Sequence, residues 1–212
     1  PDRSAVRIVH FENHTTAQHL ELIAQALEAT RNRANVQLRI LEAKRSPATR
    51  ELHNLVKKTG VSDLIEFVPC ARHEDWPRHL QTIDAALIFF SGSDGNGAAV
   101  STVSTSEAEV AECAATATAV IAPRTSAARN AIPERGGLFF DEGSSESLAD
   151  AICTFATDQQ LRLGLRTAMR NERSKFDAAV ARELLLAVYR TIGEDRPSIS
   201  ETSGSASIVS FE

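Results

Sequence analysis

Cysteine is scarce in this chain. Cys70, Cys113 and Cys153 are widely separated in 212 residues and form no CxxC spacing. That excludes a disulfide framework and a cysteine-based zinc site, and it fits a reducing cytosol, so a cytoplasmic location is expected and no metal is. Long apolar runs are also missing. No stretch approaches the roughly 18 to 20 residues that span a bilayer, and no basic-then-apolar segment opens the chain. Positive charge is in deficit: the formal net charge is −5 and the pI about 5.7. No nucleic-acid partner is therefore expected, and Arg31/Arg33 and Lys57/Lys58 read as solvated helix faces. The chain begins at Pro1 without methionine, which reads as a processed product or an excised piece of something longer.

What is present is 42% hydrophobic residues in a repeating order. Val6 to Phe11 is an apolar run of strand type, and the segment Gln18 to Thr30 carries Leu20, Ile23, Ala24 and Leu27 at helical spacing. The unit repeats with a strand from Val36 to Leu41 and a helix from Pro47, with Ser46 as N-cap, to Thr59, closed by Gly60. Strands follow at Leu64 to Val68, Ala85 to Phe90, Ala119 to Ala122 and Gly137 to Phe140. Helices are expected around Glu74 to Thr82, Glu107 to Ala115, Ser126 to Ile132, Ser145 to Asp158, Asp158 to Arg173 and Phe176 to Ile192. Uninterrupted apolar strands between helices predict an α/β fold, a doubly wound, mostly parallel six-stranded sheet of Rossmann-like type. Residues 1–193 are read as one domain and residues 194–212, polar and serine-rich, as a flexible tail.

In such a sheet ligands bind beyond the carboxyl ends of the strands. The loop Ser91 to Gly97 draws attention because Gly92, Gly95 and Gly97 allow close backbone approach and free N–H groups can cradle phosphate; a surface turn reads the same way. Glu112 opens a helix end of small residues that runs into the strand at Ala119. Its two carboxylate oxygens suit a pair of sugar or ribose hydroxyls, while pattern alone favours a solvated acid beside Glu107 and Glu109.

Several segments in order resemble the nucleotide-sugar-binding C-terminal domain of GT-B glycosyltransferases of family 4 (glycosyl transferases group 1). Glu112 to Ala122 is similar to the family's glutamate, small-residue helix end and Gly-Thr-Pro-Val turn, and Ser91 to Gly97 to its Ser-x-Ser-Glu-Gly-Phe-Gly segment. Gly136 to Phe140 followed by Glu146 to Ile152 resembles its Gly-Leu-Leu-Val strand and Leu-Ala-Asp-Ala-Ile helix. Asp63 to Val68 and Ile83 to Leu87 match two further strands. The resemblance reaches to about Tyr189. It implies the donor-binding domain of a retaining glycosyltransferase, with a nucleoside-diphosphate sugar as substrate, no further cofactor, and a separate N-terminal acceptor-binding domain or partner chain, without which the isolated chain is inactive. On this resemblance Glu112 reads the ribose, and Asp94, Gly95, Asn96 and Gly97 lie near the sugar or diphosphate. Asn13, Gln18 and Lys44 line the crevice, and Arg72, after Val68, lies near the base.

The donor-site motifs are degenerate. Where the family has an arginine and then a lysine-glycine pair at its first helix, this chain offers Asn13, Gln18 and His19; His14 or His19 would replace the charge only when protonated. Glu42-Ala43-Lys44 stands for the Gly-x-Gly turn and crowds the crevice, with Lys44 or Arg45 as a displaced cation. Ser104 occupies the place of the family's first glutamate. Asp94 has the right motif context, but its interval to Glu112 is about ten residues too long. The turn's glycine and proline are Ala117 and Ala119. The alternative is a non-catalytic domain of the same fold with a binding or assembly role. A nicotinamide dehydrogenase is disfavoured, because Glu12 to Ala17 contains no glycine for GxGxxG.

Overall fold

The computed structural model describes residues 5–11, 16–42, 47–69, 75–90, 105–176 and 182. Six strands make one sheet: β1 (Val6–Phe11), β2 (Val36–Glu42), β3 (Ile65–Pro69), β4 (Ala85–Leu87), β5 (Ala119–Pro123) and β6 (Gly137–Phe140). Their order is β3-β2-β1-β4-β5-β6 and every neighbouring pair is parallel. The helices between them are α1 (Ala17–Thr30), α2 (Pro47–Lys58), α3 (Trp76–Leu80), α4 (Thr105–Thr116) and α5 (Ser126–Ala131). After β6 come α6 (Ser145–Thr157), α7 (Gln159–Asn171) and a 3-10 turn, Arg173–Phe176. These elements lie in a unit spanning residues 1–176. Of the second unit, 177–212, only Arg182 is described, and it is helical.

Alternation along the strands divides the core into two layers. Ile8, Leu38, Ile40, Ala85 and Ile121 pack with Ile23 and Leu27 of α1, Val56 of α2, and Leu148 and Ile152 of α6. Val9, Phe11, Leu41, Ile88 and Phe90 pack on the other face with Trp76 and Leu80 of α3, Val110 and Cys113 of α4, and Met169 of α7. Helix starts are fixed by side-chain caps: Thr16 accepts the His19 N–H (3.1 Å), Thr125 that of Ala128 (3.1 Å), Ser144 that of Ser147 (3.1 Å) and Asp158 that of Leu161 (2.9 Å). Gly60, at φ 74°, takes the left-handed turn that ends α2.

Sequence and structure part at a few places. The apolar run Ala85 to Phe90 yields a strand of only three residues, because Ile88, Phe89 and Phe90 leave the ladder on one side, although the Ile88 N–H still bonds the Ile121 carbonyl (3.0 Å). The helix read around 74–82 is the single turn and a half of α3. Arg31 and Arg33 are more than solvated charges. Arg31 forks onto Asp63 (2.7 and 3.1 Å) and reaches the Gly60 carbonyl (2.9 Å), and Arg33 bonds Asp150 of α6 (2.7 Å). Lys57 and Lys58 are exposed, as expected. Cys113 and Cys153 are free and buried. The N-cap Ser46, the helix expected beyond Phe176 except for Arg182, and the tail from 194 fall outside the described residues.

Candidate functional site

The strand order reverses its direction of travel between β1 and β4. From β1 the chain continues outward to β2, and from β4 to β5 on the other side, and it is beyond the carboxyl ends of two such strands that open parallel sheets place their ligand crevice. Four groups of described side chains stand along this edge.

At its centre is Phe89. Its ring stacks on His19 of the first turn of α1 (centroids 4.3 Å apart, planes at 12°), meets His10 edge-on (5.6 Å, 86°) and Phe140 edge-on (6.0 Å, 74°). His10, 3% exposed, donates from Nδ1 to the Leu87 carbonyl (2.8 Å), which places its proton on that nitrogen. Beside them Phe11 stacks on Trp76 (4.6 Å, 30°).

At the end of β2 the carboxylate of Glu42, 6% exposed, is hydrogen-bonded to His53 Nε2, whose ring stacks on Phe67 of β3 (3.8 Å, 18°). Glu42 was expected to crowd the crevice; its side chain is instead turned onto the face of the sheet covered by α2. The pairing is visible in sequence only as an acid closing an apolar strand, with a histidine on the next helix.

The last group is on α4. Ser106, Glu109, Val110, Cys113 and Ala114 are buried and recur at positions i, i+3, i+4, i+7 and i+8, one face of the helix. Ser106 Oγ donates to the Phe89 carbonyl (3.0 Å). Glu109 is 4% exposed, and burial pushes its carboxyl up to about 8. Glu112, half-buried, and Thr116 share a flank of the helix with Glu109. At the end of the helix Thr116 Oγ1 pairs with Thr118 Oγ1 (2.9 Å), and Thr118, just past α4, donates to the Leu80 carbonyl of α3 (3.4 Å). A cavity of about 500 Å³ lies on the opposite flank, lined by Glu107, Ala108, Ala111, Asn130, Ile132 and Phe176 among others, away from the crevice.

Of the residues singled out in the sequence, Gln18 is exposed in the first turn of α1, which follows β1, and Glu112 is half-buried on α4. Asn13, Lys44, Arg72, Asp94, Gly95, Asn96 and Gly97 lie outside the described residues. Ala117, in place of the family glycine, holds φ at 54°. No cluster of three metal-binding side chains occurs among the described residues, and no described helix is long and apolar enough to cross a membrane.

No family model matches the sequence, and no curated protein does. Solved structures do match. HepE of Anabaena, solved with UDP and glucose, superposes with a TM-score of 0.67 at 17% identity, over 89% of this chain and 48% of its own. A glycosyltransferase of Rickettsia africae gives 0.69 at 15%, over 92% of this chain and 50% of its own. The C-terminal domain of LpcC, a group 1 glycosyl transferase of Francisella tularensis, gives 0.59 at 18%, over 82% and 87%. The chain has the fold of a GT-B glycosyltransferase C-terminal domain. It spans about half the length of the first two proteins and corresponds to the excised LpcC domain in extent. At these identities the likeness establishes the GT-B C-terminal fold, and chemistry has to be argued from the residues themselves.

Proposed function

We propose that this GT-B domain binds the donor, a nucleoside-diphosphate sugar, as one half of a retaining glycosyltransferase whose acceptor is held by a separate N-terminal domain. The observation that carries the reading is the position of Glu112: half-buried, on α4, the helix between β4 and β5. There it accepts the two ribose hydroxyls, with the diphosphate beyond it toward the helix start, where backbone N–H groups favour anions. The reading assigns Asp94, Gly95, Asn96 and Gly97 to the sugar or diphosphate, Asn13, Gln18 and Lys44 to the crevice, and Arg72 to the base. HepE, of the same fold, has been solved with UDP-glucose as well as with UDP.

One observation favours a second reading, binding without transfer. The first turn of α1 presents Ala17, Gln18 and the stacked His19, with no arginine or lysine to stabilise a departing diphosphate. Calorimetry with UDP-, GDP- and ADP-sugars tests what both readings share. One base is expected to bind, and silence at millimolar ligand would sink both. Release of free nucleotide by the chain joined to its acceptor domain then separates transfer from binding alone.

A further inference from the structure

Glu109 has no part in the reading above. Its Oε1 is buried and without a hydrogen-bond partner among the described residues, and the whole residue is 96% shielded. The sheet face beneath α4 is apolar at Val9, Phe11, Ile88 and Phe90. An ionised carboxylate left unpaired in such surroundings is strongly disfavoured, so the group either keeps its proton or meets a ligand. Kept protonated, it is a hydrogen-bond donor as well as an acceptor.

Its place on the helix says which ligand atom it meets. Glu109 is one turn into α4 from Thr105, and Glu112 is three residues further on the same flank, a spacing that brings side chains to about 5–6 Å. With the diphosphate toward the start of α4 and the ribose at Glu112, the phosphate that joins them runs past the intervening turn. An ionised acid there would repel it. A neutral acid donates a short O–H···O⁻ bond to it. The structure thus offers a substitute for the cations missing from the first turn of α1. We propose that Glu109, in its neutral form, donates a hydrogen bond to a phosphate oxygen of the nucleoside diphosphate; this rests on the donor-site reading above.

Among the described residues the charged groups around it are few. Glu107, Glu112 and Cys113 lie within about a turn on α4, and α3 carries Arg78 and His79 just after Asp75. Arg166 of α7 is engaged with the Ala117 carbonyl, and Lys175 lies by the cavity on the opposite flank. The raised carboxyl of Glu109, at about 8, has burial as its cause.

Calorimetry of the 212-residue chain and its Glu109→Gln variant, with UDP-, GDP- and ADP-glucose between pH 6.5 and 9, tests the proposal. The diphosphate diester of these ligands does not change charge over that range, and any titration of the base is common to both proteins. Wild-type affinity is expected to fall about tenfold from pH 7 to pH 9, with proton uptake on binding, while the variant stays flat. Equal pH profiles in the two proteins would overturn the role of Glu109 and leave the donor site standing. No binding by either protein at any pH would overturn the donor site itself, and this inference with it. Near-ultraviolet circular dichroism of the variant, matching wild type, confirms that the fold is kept.

Discussion

Arg166 of α7 donates from Nε to the carbonyl of Ala117 at 3.1 Å, tying the last helix pair to the turn that leads from α4 into β5. Ala117 takes the left-handed conformation there, φ 54°. Its N–H bonds the Ala114 carbonyl (3.2 Å), and the Thr118 N–H reaches back to that of Cys113 (2.8 Å), a Schellman closure made without glycine. An alanine in this region costs about 1 kcal/mol or more relative to glycine. Ala117→Gly is therefore expected to raise the unfolding free energy by about 1 kcal/mol in urea titration. No gain, or a loss, would mean that the chain relieves the strain elsewhere.

Gly137 begins β6 where a Cβ would meet Ile132 Cγ2 at 2.8 Å and the backbone oxygen of Val120 at 3.5 Å. Room for a methyl exists only if Ile132, itself buried, moves. Gly137→Ala should lower stability by about 1–3 kcal/mol through overpacking, read as a drop in the urea midpoint at unchanged slope.

Most of the scaffold was legible in the sequence because its strands are apolar runs closed by polar residues or turn glycines. Val6–Phe11 and Gly137–Phe140 are found where the pattern puts them, and the boundaries of α1, α2 and α6 agree to within a residue or so. The crevice was legible less well. Glu42 and Glu109 are acids, and a pattern that assigns acids to water hides them, although Glu109 sits in an unbroken buried face of α4 and Glu42 ends a buried strand. The Phe89 cluster depends on Phe89 and Phe90 leaving the ladder and pointing to opposite layers, a tertiary choice that no local period encodes.

Glu42 and His53 form a mutual dependence. With the imidazole removed, the Glu42 carboxylate stays buried without its donor, which costs about 1–3 kcal/mol. His53→Ala should destabilise by that amount and Glu42→Gln by less, since the amide can still serve the ring. Equal, negligible effects in thermal unfolding would show that Glu42 reaches water.

The buried carboxyl of Glu109 makes stability depend on pH in a direction opposite to that of an ordinary paired acid. Folded, it titrates near 8; unfolded, near 4.5. Below the lower value both states hold the proton and nothing is lost. As pH rises from there toward 8 the unfolded chain ionises while the folded chain does not, so stability falls, and above 8 the loss is complete. Relative to Glu109→Gln, wild type should lose on the order of 3 kcal/mol between pH 5 and pH 8. A constant difference across that window would show that the group is solvated.

The claim on which the functional reading turns is that Glu112 holds the ribose. A crystal structure of the chain with UDP bound measures it directly. The account predicts both ribose hydroxyls within about 2.5–3.0 Å of the Glu112 carboxylate, and loss of UDP binding in Glu112→Ala. UDP bound elsewhere, or at this edge with Glu112 turned away from the ribose, would contradict it.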